Sequence, residues 1–373
     1  MIIKNVQVFR EDGKFCHGEL GIKNGVFMEA AGADGEILDG QGMLAIPGLV
    51  DIHFHGCAGA DLCDADPEAL LRIAEYEASV GITSICPASM TVPETELYKI
   101  MKMAAAYKAD RGARLVGINM EGPFISEKKK GAQAAENIRP CDETLFRKLQ
   151  QEAGGLIRLV DIAPEIPGAM EFIEAVKGEV VVSIAHTTAD YETASRALQK
   201  GASHITHLYN AMPAFSHRAP GVVGAAFDSK DCRVELICDG IHIHPSVVRA
   251  TFAMFGAGRI VMISDSMRAT GLSDGSYTLG GQEVFVKGSL ATLSDGTIAG
   301  SVTNLMECMR TAVLKMGIPL EQAVVCASAN PAKAIGIYDR YGSITPGKMA
   351  DFVLLDETLR VKAVYVGGIL QGQ

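Results

Sequence analysis

Seven residues able to bind a metal or move a proton stand where apolar, strand-forming runs end: His53, His55, Glu121, His186, His207, His242 and Asp265. Six runs carry them, because the first supplies both histidines of His53-Phe54-His55. Residues two apart on a strand point to one side, so these two imidazoles can chelate one ion. Glu121, held by the following Gly122-Pro123, stands at a strand rim, where an unpartnered carboxylate is costly and a metal or hydrogen-bonded cation would relieve it. His186 and His207 occupy equivalent strand ends. A nitrogen and oxygen donor set without clustered thiolates suits zinc, iron(II), manganese or cobalt in hydrolysis. Asp265 could ligate such an ion, accept a proton from its water, or do both. Each residue alone also has a plainer reading: a hydrogen-bonded core histidine, a salt-bridged loop acid or, for Asp265, a helix cap. Their coincidence at successive strand ends favours the metal-dependent one.

Those positions need elements to hold them. Strand-like runs recur at 49–53, 82–85, 114–120, 156–162, 180–185, 203–206, 234–238 and 259–264, with helical stretches at 67–80, 94–108, 142–152, 169–177 and 191–200 between them. Eight such units predict an α/β fold, a closed TIM-like (β/α)8 barrel over 49–344, with an open doubly wound sheet as runner-up. In a barrel the carboxyl ends of the strands converge on one mouth, where chemistry is done. Residues 1–48 turn repeatedly and contain an Asn24-Gly25 hairpin signal, and 345–373 read alike. Neither could bury a core alone, so both are expected to combine into one small β-sandwich accessory domain. A further hairpin is expected near 277–286, its exit at 298–301 returning to the mouth as a structural turn or a substrate contact.

Composition narrows the partners. With 48% apolar and 21% charged residues, the chain is an ordinary globular protein without disordered tracts. A net charge of −10 gives no footprint for nucleic acid; Lys128-Lys129-Lys130, the one basic run, reads as a solvated loop. An anionic substrate would therefore need local donors such as Arg218. Nine scattered cysteines, an odd number, point to reduced thiols, and no stretch reads as a signal or membrane span, so the cytoplasm is the expected location. His17 and His217 read as surface residues, His204 and His244 as structural ones.

The block Pro47-Gly48-Leu49-Val50-Asp51-Ile52-His53-Phe54-His55-Gly56 resembles the start of the amidohydrolase superfamily barrel. Glu121-Gly122-Pro123-Phe124, Ala185-His186-Thr187, His207-Leu208-Tyr209-Asn210-Ala211-Met212, Asp239-Gly240-Ile241-His242 and Ser264-Asp265 narrow it to the N-acetylglucosamine-6-phosphate deacetylase family, in that family's order and over nearly the whole chain. The resemblance implies removal of an acetyl group from the sugar phosphate in amino-sugar catabolism. It implies a divalent ion, zinc or iron foremost, on Glu121, His186 and His207, with Asp265 as catalytic acid/base. Since His53 and His55 are both present, a second ion bridged by Glu121 is expected. Asn210, Ala211, Arg218 and His242 are implied contacts of the sugar phosphate, in a homodimer whose contacts cross between copies, and Ile298, Ala299 and Gly300 a further substrate stretch. After Lys130-Gly131-Ala132 many relatives carry a histidine that polarises the acetyl carbonyl, but this chain has Gln133, which can donate a hydrogen bond and cannot become cationic. Ala132 and Gln133 are taken as substrate contacts; Ala134-Ala135 also departs from the pattern. The alternatives are another enzyme of the superfamily, acting on the galactosamine isomer, a cyclic amide or a nucleobase, and a non-catalytic scaffold of the same fold.

Overall fold

Asn24 and Gly25 both take positive φ, 53° and 77°, and turn the strand Phe15–Lys23 back onto Val26–Met28 as its antiparallel neighbour. Glycine suits the second position because it has no Cβ to clash there. In the computed structural model, which describes residues 1–372, this hairpin belongs to an eight-stranded sheet drawn from both ends of the chain. Leu44–Pro47 pairs antiparallel with Phe352–Leu355, which pairs in turn with Val361–Val366, so main-chain hydrogen bonds join the two terminal segments. Val6, Val8, Phe27, Phe352 and Tyr365 share a core of their own, with the Phe352 and Tyr365 rings stacked 4.5 Å apart. Gln373, the end of the segment expected to join this domain, lies outside the described residues.

The barrel strands are Leu49–Asp51, Ile82–Ile85, Ile118–Glu121, Ile157–Ile162, Val181–Ile184, His204–Ile205, Arg233–Ile237 and Ile260–Ile263. The last six lie parallel, side by side, and Ala88–Ser89 carries the course of the second strand onto the third. First and second pair in parallel as well. Eighth and first meet where Asp265 N–H donates to the His53 carbonyl (2.9 Å) and His55 N–H to that of Ser266 (2.7 Å). The result is a TIM-like barrel. Alternation along the strands sorts side chains by face: Val160 and Ile162 pack with Phe146 and Phe172 of the surrounding helices, while Asp161 between them takes the other side. Each large apolar side chain so buried contributes about 1.5–3 kcal/mol.

The helices expected from the sequence form at Pro67–Ser79, Glu94–Ala106, Glu143–Glu152, Ala169–Val176 and Tyr191–Lys200. Asp66, Asp142 and Asp190 cap three of them by accepting a first-turn backbone N–H. Past the eighth strand, Gly275–Leu279, Gln282–Lys287 and Leu290–Thr292 make an antiparallel sheet whose Leu279 and Val284 pack with Met90 and Ala132. The chain then returns to the mouth, where Ser301 N–H donates to the Asp265 carbonyl (2.7 Å). The nine cysteines are free thiols. No helix among the described residues is long and apolar enough to cross a membrane.

Candidate metal centre and its cavity

The Glu121 carboxylate, at the end of the third barrel strand, is a meeting point. Its Oε1 faces Nε2 of His186 at 3.0 Å, of His207 at 3.3 Å and of His53 at 3.4 Å, and its Oε2 faces Nε2 of His55 at 3.4 Å. Two donor sets therefore share it, His53-His55-Glu121 and Glu121-His186-His207, each with its ligand atoms within 4.8 Å of one another. Asp265 Oδ1 stands 3.4 Å from His55 Nε2 and 3.9 Å from His53 Nε2. All six side chains are buried.

The backbone is bent to aim them. His186, His207 and Asp265 take φ of 42°, 28° and 50°, a region few non-glycine residues occupy. Such positions cost about 1–3 kcal/mol each and persist where surrounding contacts over-determine them. Here Ser126 N–H bonds the His186 carbonyl (2.9 Å), Asn210 N–H that of His207 (2.9 Å), and Ser301 N–H that of Asp265.

The imidazoles are braced as metal ligands are. Nδ1 of His186 lies 2.8 Å from the Lys129 carbonyl and Nδ1 of His55 lies 3.3 Å from that of Ala88. A carbonyl only accepts, so each Nδ1 donates its proton there and each ring turns its Nε2 inward toward Glu121. His186 and His207 bring their Nε2 atoms to 3.1 Å of each other beside one carboxylate oxygen. His53 Nε2 is buried with no hydrogen-bond partner among the described residues. This donor set fits a divalent cation. The electrostatics agree: burial disfavours charge on His53, yet Glu235 and Glu121 hold its pKa well above the usual imidazole value. Burial would raise the Glu121 carboxyl, but His53, with contacts from His186 and His207, holds it well below the carboxylate range. The cluster calls for positive charge at its centre.

Above it opens a cavity of about 540 Å³, bordered by Ala132, Gln133, Asn210, Ala211, His242, Ile298 and Gly300 together with His55, Glu121, His186, His207 and Asp265. His242 is fixed by Asp239, whose Oδ2 lies 2.7 Å from Nδ1. Not every residue singled out in the sequence borders the cavity. Arg218 is exposed and borders a separate hollow with Asp190, Tyr191 and Asp228, so its own chain does not bring it to this cavity. Ala299 is buried behind the wall, its N–H bonded to the Ala291 carbonyl (3.1 Å). Lys128, Lys129 and Lys130 border the cavity as well; Lys128 is exposed, as in a solvated loop, and Lys129 Nζ donates to the Met212 carbonyl (3.2 Å). Gln133 is 2% exposed; its Nε2 donates to Glu121 Oε2 and its Oε1 accepts from Thr91 N–H, both at 2.7 Å. Both ends of that amide are engaged, and it orients Glu121.

The amidohydrolase family model matches residues 44–370, nearly the whole chain and the full barrel. The chain belongs to the amidohydrolase family. This amidohydrolase is 40% identical over 373 residues, 97% of the chain and 94% of the relative, to the N-acetylglucosamine-6-phosphate deacetylase of Bacillus subtilis (strain 168). It is 32% identical over 372 residues, 99% of the chain and 98% of the relative, to the N-acetylgalactosamine-6-phosphate deacetylase of Escherichia coli O157:H7. Among solved structures, a mutant N-acetyl-D-glucosamine-6-phosphate deacetylase of Mycobacterium smegmatis in complex with N-acetyl-D-glucosamine-6-phosphate superposes with a TM-score of 0.92, at 29% identity, covering 100% of this chain and 99% of that one.

Two buried acids of this amidohydrolase escape sequence reasoning. Glu235 lies between Val234 and Leu236 of the seventh strand, and Asp161 holds the equivalent place in the fourth; both are fully buried. The available signal is a lone carboxyl inside an apolar run, which demands a partner.

Proposed function

We propose that this enzyme hydrolyses the acetamide of N-acetylglucosamine 6-phosphate to acetate and glucosamine 6-phosphate, a step of amino-sugar catabolism. The observation that carries the reading is the pair of donor sets sharing Glu121, with Asp265 beside them at the floor of the cavity. Full-length similarity to deacetylases supports the substrate. One divalent ion on Glu121, His186 and His207 and a second on His53, His55 and Glu121, zinc or iron foremost, would supply a Lewis acid for the amide carbonyl and a water of lowered pKa. Asp265 accepts the proton of the attacking water as the C–O bond forms, then returns it to the amine as the C–N bond breaks. A base must be ionised to accept that proton, and Asp265 is: burial would raise its carboxyl, but His55 and His53 hold it below its ordinary value.

Asn210, Ala211 and His242 hold the sugar phosphate at the rim, and the backbone of Ile298-Ala299-Gly300 closes the other side. In a homodimer, Arg218, exposed on its own chain, would serve the neighbouring copy's cavity; nucleic acid and membranes have no part in the reading. The segments 1–48 and 345–373, expected as a β-sandwich and sharing one eight-stranded sheet, make an accessory domain beside the catalytic barrel of 49–344, a reading supported by its separate core. Free thiols are consistent with the cytoplasm. The test is acetate release from a panel of N-acetylated hexosamines, with and without 6-phosphate, before and after chelation and re-metallation. N-acetylglucosamine 6-phosphate should give the highest kcat/KM, lost on chelation and restored by the ion. Preference for the galactosamine isomer would install the alternative, and no acetate from any member would end the reading.

A further inference from the structure

We infer that Glu235 is a positioning residue that locks the His53 ring and the His207 backbone into one frame, so that the two donor sets sharing Glu121 assemble together. Glu235 is wholly buried in the seventh barrel strand and does not border the cavity. Its Oε2 accepts from His53 Nδ1 at 2.9 Å and from the His207 backbone N–H at 3.0 Å, and its Oε1 lies 3.2 Å from His204 Nε2. The donors come from the first strand's end on one side and the sixth strand's on the other, so one carboxylate ties together segments about 150 residues apart.

Two consequences follow. An ionised carboxylate only accepts, so Nδ1 of His53 must carry a proton, and the other nitrogen is left facing Glu121 Oε1 at 3.4 Å. Orienting a histidine through its second nitrogen tunes it as a ligand. The same oxygen also pins the N–H of His207, whose φ of 28° needs such a hold. His207 has no comparable brace on its ring, since its Nδ1 is buried without a hydrogen-bond partner among the described residues. Glu235 thus acts on one member of each set without belonging to either.

The metal arm of the test rests on the proposed metal centre; the other does not. Zinc affinity is measured by chelator competition on the wild type, on Glu235→Gln, which keeps shape and one acceptor oxygen but no charge, and on Glu235→Leu. Affinity should fall about 10–100-fold in Glu235→Gln at unchanged far-UV circular dichroism, and further in Glu235→Leu. Wild-type affinity in folded Glu235→Gln would overturn the inference, leaving Glu235 a space-filling residue. Independently, 15N-histidine NMR of the wild type, with the His53 signals assigned by their loss in His53→Gln, should show a proton on Nδ1. A bare Nδ1 would overturn the inference whether or not metal binds. A wild type that takes up no ion would instead fail the metal reading, and the NMR arm would still decide for or against Glu235.

Discussion

Buried acids meet opposite fates in two parts of this barrel. At the mouth, burial would raise the Glu235 carboxyl, but His53 and His204 hold it down at about 2, and Glu121 is likewise held low. In the helix Pro67–Ser79, neither carboxyl oxygen of Glu77 has a hydrogen-bond partner among the described residues, and burial, with the Asp51 carboxyl nearby, pushes it up to about 8. Asp51, even with the Ser264 hydroxyl and the His53 amide, is pushed up to about 7. All four are fully buried, so burial does not separate them. Direct ring contacts do: Glu121 and Glu235 each meet two imidazoles at hydrogen-bond distance and are held low, whereas among the described residues no imidazole nitrogen bonds the Glu77 or Asp51 carboxyl and burial raises both.

The contrast is broken most severely at Asp265. Asp265→Asn should keep the metal and the fold while turnover falls by about 10²–10⁴-fold, the range of general acid–base catalysis, as read by acetate release beside elemental analysis. Near-normal turnover would remove Asp265 from its role. Next comes Glu77, where the effect moves from activity to stability. Its folded pKa, about 8, is raised above the ordinary glutamate value of 4.5, so the folded chain keeps a proton that the unfolded chain gives up as pH rises. Wild-type stability should therefore fall between those values and level off above them. Glu77→Gln lacks that slope, so urea unfolding should find it more stable than the wild type by roughly 2–4 kcal/mol at pH 8.5 and nearly equal at pH 4. Parallel pH profiles would show that Glu77 has found a partner after all. The smallest effect is at Gln133. Gln133→Ala removes a hydrogen bond to a charged carboxylate worth about 1.5–3 kcal/mol, so metal affinity should drop roughly 10-fold with KM little changed. A raised KM at full metal content would return Gln133 to the substrate.

Legibility followed the range of the forces. The Asn24-Gly25 turn, the aspartate caps and the eight β-runs are local matters of φ, hydrogen bonding and alternation, and each forms close to its expected bounds. His53, His55, Glu121, His186, His207 and Asp265 could be picked out because polar donors after apolar runs are few and stand out. Arg218 could not be placed, because a loop residue's direction depends on what packs beneath it. Glu235 was hidden inside a strand, and its partners lie 28 to 182 positions away.

The sequence alone determined the supply of donors and the strands that end in them, since both are written in residue type and period. Only the tertiary structure decided which donors meet and which acids stay charged. Those outcomes depend on closing the ring between the first and eighth strands and on the neighbour each buried group then faces. A proton's place on an imidazole or a carboxyl is set across a few ångströms of space, whatever distance separates the partners along the chain.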